Sequence, residues 1–166
     1  DHPNWALVGA EIPFRRDIEA DLYDDVLDYV TSSPERPTSL VLFGPAGYGV
    51  TTILMNLAVR LVKERVGPIY FLKTGADLLE GDVDFAIGIA GKEIACFVVD
   101  DAADRAHQLQ NTIARLRDTK QPAIFICGSR MNEWRQQNLR VPAKEYVVDP
   151  LTDMEIDRLL DCLQAN

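Results

Sequence analysis

Short apolar runs alternate with helical patterns along most of the chain. Apolar runs at residues 40–43, 69–72, 94–99, 123–127 and 146–148 predict five strands. Apolar residues at helical spacing predict helices over 18–30, 53–62, 109–116 and 156–163, the last opened by a capping box at Thr152 and Glu155. This alternation predicts an α/β fold: a five-stranded, mostly parallel sheet with helices on both faces.

Two stretches do not follow this pattern. In residues 76–93, Val83, Phe85, Ile87 and Ile89 alternate as in a strand. A crossover between parallel strands needs a helix at about this point, so we favour a helix there. Residues 31–38 contain two prolines and two serines and are predicted to be a linker. The expected organisation is an N-terminal segment with an acidic helix (1–38) and a core (39–166) within one domain.

The charge is distributed unevenly along the chain. The 166 residues carry a net charge of −9, with −6 in residues 1–30, −4 in residues 149–166 and +1 in the stretch between. This acidity disfavours a nucleic-acid-binding surface, because phosphate contacts need clustered lysine and arginine. Arg15 and Arg16 precede the first helix and are expected to pair with the acids around them.

Cysteine usage and hydropathy bear on the compartment. Cys96 and Cys127 lie in apolar runs, and three scattered cysteines suit neither a disulfide framework nor a zinc site. No apolar stretch is long enough for a membrane span, and the first residues lack the features of a signal peptide. The free cysteines fit a reducing cytosol, so we expect a cytoplasmic protein. The first residue is Asp1 and not Met, so we expect the chain to be a piece of a longer protein.

The strongest motif occupies residues 44–52, between a predicted strand and a predicted helix. It consists of Gly44, Pro45, Ala46, Gly47, Tyr48, Gly49, Val50, Thr51 and Thr52. A phosphate-binding loop has this context: a strand, then G-x-x-x-x-G, then a hydroxyl residue, and then a helix. Its glycines let backbone amides face a phosphate, and the helix N-terminus adds the positive end of its dipole. The Thr51 hydroxyl is the predicted Mg²⁺ ligand of this loop.

Position 50 departs from the motif, because Val50 stands where a lysine normally reaches the β- and γ-phosphates. Loss of a charged hydrogen bond costs roughly 1.5–3 kcal/mol, or on the order of 10- to 100-fold in affinity. Hydrolysis suffers more, since the lysine also neutralises charge in the transition state. Two interpretations stay open: a site that binds nucleotide and hydrolyses it weakly, and a fold that has lost nucleotide binding.

Two other strand ends carry candidate residues. Asp100 and Asp101 follow the 94–99 strand; in P-loop proteins the first such acid holds the water bound to Mg²⁺, and the second orients the attacking water. Arg130 follows the 123–127 strand and is a candidate to face a γ-phosphate, with a surface salt bridge as the alternative. Asp100, Asp101 and Arg130 are thus the predicted catalytic group, and Thr51 and Asp100 the predicted metal ligands.

The order of these motifs resembles the nucleotide-binding domain of STAND-type P-loop ATPases, relatives of the AAA+ and NB-ARC proteins. Residues 7–11 (L-V-G-A-E) resemble their V-G-R-E box, with Ala10 in place of its arginine. Residues 150–155 resemble their P-L-[ST]-x-x-E segment, and residues 130–134 are similar to an R-x-N-E-W stretch of bacterial members, some of which act in antiphage defence. The resemblance implies a three-layer P-loop fold in which the Arg130 strand lies between the Gly44 and Asp100 strands.

The resemblance also implies a function, a switch driven by ATP or ADP with Mg²⁺. Nucleotide would close the domain against a following lid and promote self-association that activates an attached effector. Trp5, Leu7 and Val8 would cover the adenine or pack on the core, and Tyr48 would stack over the phosphates or point outward. Two rivals remain: an interaction module that binds no nucleotide, and an ATPase whose lysine comes from a neighbouring subunit.

Overall fold

The computed structural model describes residues 14–72, 75–138 and 142–164. The box at 7–11, with Trp5, Leu7 and Val8, lies outside the described residues. A 3₁₀ turn at Ala102–Arg105 precedes the fourth helix. The elements in chain order are α1 (Ile18–Thr31), β1 (Thr38–Phe43), α2 (Val50–Lys63), β2 (Ile69–Phe71), α3 (Glu80–Ala90), β3 (Ala95–Val99), α4 (Ala106–Asp118), β4 (Ala123–Ser129), α5 (Met131–Gln136), β5 (Lys144–Val147) and α6 (Asp153–Gln164).

The five strands form one sheet in the order β2-β3-β4-β1-β5, and each pairing is parallel. Strand β4 therefore lies between β1 and β3, as the resemblance implied. In register, Phe43 pairs with Ser129 and Val99 pairs with Cys127. Because the carboxyl ends of neighbouring parallel strands meet at one edge, the segments after β1, β3 and β4 converge there.

Apolar side chains alternate between the two faces of the sheet. Val41 and Phe43 of β1 pack in a cluster that includes residues of α3, α4 and α5. Leu40 and Leu42 pack in a second cluster with residues of α1 and α2. The predicted three-layer α/β architecture is confirmed, with a sheet whose pairings are all parallel.

The stretch left open by the sequence pattern folds as the favoured helix, α3. Val83 and Ala86 are buried, whereas Phe85 and Ile89 are 71% and 63% exposed. Apolar residues therefore surround this helix instead of occupying one face, which explains why its sequence imitates the alternation of a strand.

Helix α5 is a short element for which the apolar pattern provides no signal. Its Trp134 is buried and meets the Phe43 ring edge-on, with ring centroids 6.3 Å apart. This contact anchors the segment after β4 beside the end of β1.

No helix within the described ranges is long and apolar enough to cross a lipid bilayer.

Candidate functional site

The glycine-rich loop connects the end of β1 to the start of α2. Gly47 and Gly49 have φ angles of +86° and +83°, a left-handed conformation that other L-residues adopt only with strain. A β-carbon at either position would meet no atom within 4 Å, so the requirement for glycine is conformational. The loop thereby reaches the N-terminus of a 14-residue helix, whose unpaired amides and dipole favour an anion.

Val50 packs against the ends of two strands. A β-carbon on Gly44 would lie 2.6 Å from Val50 Cγ2, and one on Gly128 would lie 2.8 Å from Val50 Cγ1. Gly44, after β1, and Gly128, in β4, thus leave the space that the isopropyl group of Val50 fills. Position 50 provides apolar packing where the motif usually provides a cation.

The acid pair follows β3 and contacts the loop directly. The Thr51 hydroxyl donates to Asp100 Oδ2 at 2.7 Å, and the Asp101 amide donates to Asp100 Oδ1 at 3.1 Å. Asp101 is exposed and has a φ of +50°, an unusual conformation of the kind that gathers at functional sites. The structure therefore brings the predicted metal ligands together.

The donors at this point fit Mg²⁺, which prefers hydroxyl and carboxylate oxygens. Within the described residues no group of three or more histidine, cysteine or acidic side chains forms a metal site. One hydroxyl and one carboxylate are the sparse protein set that Mg²⁺ takes when phosphates and waters complete its octahedron. Thr51 and Asp100 would hold the ion together with a bound nucleotide.

Arg130 lies at the rim of the same region. Its Nη1 pairs with Glu133 at 2.7 Å, and the two side chains are 57% and 43% exposed. The surface salt bridge that the sequence left as an alternative is therefore present. Exposed pairs of this kind are worth about 0–1 kcal/mol, so the guanidinium can exchange Glu133 for a phosphate at little expense.

These residues surround one open cleft of about 420 Å³, which we call the loop cleft. Tyr48 is absent from its lining, and the remaining predicted site residues all contribute. Ser129 is the one contributor that was not predicted. The lining consists of Gly44, Pro45, Ala46, Gly47, Gly49, Val50, Thr51, Thr52, Asp100, Asp101, Ser129 and Arg130.

A second cavity, of about 580 Å³, lies between the loop and α6, and we call it the α6 cavity. It shares Gly47, Gly49 and Thr52 with the loop cleft, so the two are adjacent. Tyr48 belongs to this cavity. Its apolar walls are Phe14, Tyr48, Ile53, Pro150, Leu151, Ile156 and Leu159, and its polar residues are Arg16, Glu19, Asn56 and Asp149.

Sequence reasoning missed most of the α6 cavity. Its walls come from segments at 14–19, 47–56 and 149–159, and of the lining residues only Gly47, Tyr48, Gly49 and Thr52 were predicted site residues. Glu19 is buried there, and burial raises its pKa above the ordinary value. Hydrogen bonds from the Arg16 amide and from Asn56 act in the opposite direction but do not outweigh burial. A buried carboxylate and an amide side chain are polar groups of the kind that orient a ligand in an apolar cavity.

Arg16 differs most from its prediction. Its Nε donates to Glu155 Oε1 at 2.8 Å, across 139 positions of sequence, so its partner is not one of the neighbouring acids. Burial alone would raise the pKa of Glu155. Hydrogen bonds from the amides of Thr152 and Asp17 and from Arg16 outweigh burial and lower that pKa to about 2. The capping box at Thr152 and Glu155 is confirmed by the same contacts.

Comparisons with known proteins agree with this geometry. Residues 1–141 match the family model described as novel STAND NTPase 5. A comparison with curated proteins gave no match. Among solved structures, the chain is similar to CDC6P from Pyrobaculum aerophilum (18% identity, TM-score 0.60) and to Drosophila ORC bound to poly(dA/dT) DNA and Cdc6 (11%, 0.61). It is also similar to domain III of the replication initiation protein DnaA from Thermotoga maritima (13%, 0.51).

These similarities cover 93%, 95% and 92% of this chain, and 52%, 33% and 71% of the three known chains respectively. The chain thus spans about half the length of the Pyrobaculum protein and a third of the Drosophila chain. At such low identity the likeness shows the fold alone. Since the family model covers well over half of its residues, the chain belongs to the STAND NTPases, in the family described as novel STAND NTPase 5.

Proposed function

We propose that this domain binds ATP or ADP with Mg²⁺ and serves as the nucleotide-dependent switch of a larger protein, with weak or absent hydrolysis. The observation that carries the proposal is the adjacency of the loop cleft and the α6 cavity across Gly47, Gly49 and Thr52. One compartment suits phosphates, and the other has the size and apolar lining of a nucleoside site. A nucleotide laid across the loop would occupy both.

The phosphates would be held by the loop amides and the α2 N-terminus, with Arg130 as the side-chain cation. Mg²⁺ would supply the remaining neutralisation of phosphate charge, held by Thr51 and Asp100. Asp101 would orient the attacking water. Trp5, Leu7 and Val8 remain candidates to cover the base, a role that we base on the resemblance alone.

The proposed weakness in hydrolysis follows from Val50. An apolar side chain there can neither bind the γ-phosphate nor neutralise the charge that develops during transfer. Binding tolerates a loss of roughly 10- to 100-fold because cellular ATP is abundant. The site would then distinguish bound ATP from bound ADP and would hydrolyse ATP only slowly.

The wider role rests on the resemblance to STAND proteins. Nucleotide would favour self-association or docking of neighbouring domains and so activate an effector, with antiphage defence as the proposed setting in the cytoplasm. DNA binding, which belongs to the Drosophila neighbour, is not part of the proposal. A net charge of −9 disfavours it.

Isothermal titration with ATP and ADP in the presence of MgCl₂ tests binding, and a phosphate-release assay tests turnover. We expect saturable heat with both nucleotides and turnover close to background. No heat and no thermal shift at millimolar nucleotide would exclude the proposal. Turnover that rises steeply with protein concentration would indicate a lysine supplied by a neighbouring subunit.

A second candidate is an interaction module that keeps the fold without nucleotide. The fit of Val50 between Gly44 and Gly128 favours it, because the position is built for packing. This candidate predicts that Asp100→Ala leaves function unchanged and that Val50→Lys creates an affinity which the natural chain lacks. The switch predicts that Asp100→Ala weakens Mg²⁺-dependent binding.

A further inference from the structure

Arg16 joins three segments that surround the α6 cavity. Besides its ion pair with Glu155, Nη2 donates to the Asp149 carbonyl at 2.7 Å and Nη1 approaches the Tyr48 carbonyl at 3.4 Å. These acceptors belong to α6, to the turn after β5 and to the glycine-rich loop. The side chains of Arg16 and Glu155 are 10% and 4% exposed, so the pair is shielded from water.

The geometry of the guanidinium distinguishes its partners. Two short bonds attach it to the α6 side of the cavity, and the long contact to Tyr48 reaches across to the loop. Glu155 is held in turn by the amides of Thr152 and Asp17. The planar fork of an arginine can serve three acceptors at once, which a lysine ammonium does not reproduce.

We propose that Arg16 is a positioning residue of the nucleotide site, which couples the loop that would hold the phosphates to the placement of α6. The proposal rests on the proposed nucleotide binding. A ligand that fixes the loop carbonyl at Tyr48 would favour the arginine geometry that holds Asp149 and Glu155. Occupancy of the site would thereby be transmitted to the first turn of α6.

The test compares Arg16→Lys with Arg158→Lys. Arg158 lies on α6 and pairs with Asp17 at 2.6 Å, but the two side chains are 47% and 67% exposed and neither lines the α6 cavity. Both variants keep the charge, so each retains a cation beside its acid. Arg16→Lys loses the three-way fork, whereas Arg158→Lys changes only a surface pair.

Two measurements are made with the same proteins: MgADP affinity by titration calorimetry, and amide hydrogen exchange of the loop and α6 with and without MgADP. Arg16→Lys is expected to weaken MgADP about tenfold, the equivalent of about 1.4 kcal/mol. It should also abolish the slowing of α6 exchange by MgADP while the loop remains protected. Arg158→Lys is expected to behave as the natural chain does in both measurements.

Other outcomes separate this proposal from the proposed function. Arg16→Lys with natural affinity, or with α6 still protected by MgADP, overturns the coupling. Faster α6 exchange in both states with unchanged affinity indicates a merely structural contact and also overturns it. If the natural chain binds no nucleotide, the proposed function fails. The connection of the loop to α6 through Arg16 is then tested in the ligand-free protein. Arg16→Lys must speed amide hydrogen exchange in both the loop and α6. Faster exchange in only one of them contradicts the connection.

Discussion

The loop cleft and the α6 cavity share Gly47, Gly49 and Thr52, yet the composition of their remaining walls differs sharply. The cleft is made of glycines, hydroxyls, two acids and an arginine already engaged with Glu133. The cavity is walled mainly by apolar side chains, and its polar residues include Arg16, which pairs with Glu155. The compartment proposed for a nucleoside has apolar walls among the described residues, whereas the compartment proposed for phosphates keeps the loop geometry and has Val50 in the position of its usual cation.

The largest expected effect is the removal of Mg²⁺. The described lining of the loop cleft holds Asp100 and Asp101 against Arg130, so a free triphosphate meets more negative than positive charge. Chelation with EDTA should weaken ATP binding by at least about 100-fold, measured by calorimetry at constant ionic strength. Asp100→Asn should bind ATP more tightly than the natural chain in EDTA, because it removes repulsion. Equal affinity with and without Mg²⁺ would contradict this account of the cleft.

The next effect concerns acid and the α6 cavity. Glu155 has a pKa of about 2, below its ordinary value of 4.5, so it contributes stability above pH 4.5 that is lost as the pH falls towards 2. The contribution is on the order of 2–3 kcal/mol, followed by urea denaturation between pH 6 and about 2.5. Glu155→Gln should be less stable near neutral pH and should lose less stability in this window. Parallel stability curves for the two proteins would contradict the assignment.

Val50→Lys sharpens the contrast by returning a cation to the loop cleft. Affinity for MgATP should rise by about 10- to 100-fold, because a charged hydrogen bond to phosphate is worth roughly 1.5–3 kcal/mol. Val50→Met is the matched control, since it adds an unbranched stem without charge and should leave the affinity near that of the natural chain. Similar gains from lysine and methionine would show that packing, and not charge, limits binding.

Leu151→Ala produces the smallest effect, and it acts on the other compartment. Trimming one apolar wall of the α6 cavity should weaken ATP and ADP equally, by about fivefold or roughly 1 kcal/mol. Calorimetry with both nucleotides measures the change and their ratio together. A loss confined to ATP would mean that Leu151 acts on the phosphate side, and the division into two compartments would be wrong.

The loop cleft was predictable because its residues are close together in sequence or follow apolar strands. Gly44 to Thr52 form one run, and Asp100 and Arg130 each follow a buried strand of the sheet. Parallel strands place their carboxyl ends at one edge of the sheet. Predicting the strands was therefore enough to predict that the side chains following them lie together. The fold was predictable for the same reason, since continuous apolar runs mark its strands and alternate with helical patterns along the chain.

The α6 cavity was not predictable in this way, because its contacts join distant segments. No residue near Arg16 in the sequence indicates that its ion-pair partner is Glu155. Acids lie much closer to Arg16 in the sequence, but its side chain does not pair with them. Tyr48 is a loop residue, and only the folded position of α6 decides which compartment it lines. The choice between a strand and a helix for residues 76–93 was ambiguous because apolar residues surround α3.

The position of β1 in the sheet has a consequence for biosynthesis. This strand carries the glycine-rich loop, yet its two neighbours are β4 and β5, which are encoded about 80 and 100 residues later. Contacts of such long sequence separation form slowly, and a chain emerging from the ribosome at about 5–20 residues per second exposes β1 for several seconds before either neighbour exists. During that interval the apolar side chains on both faces of β1 are a target for chaperones.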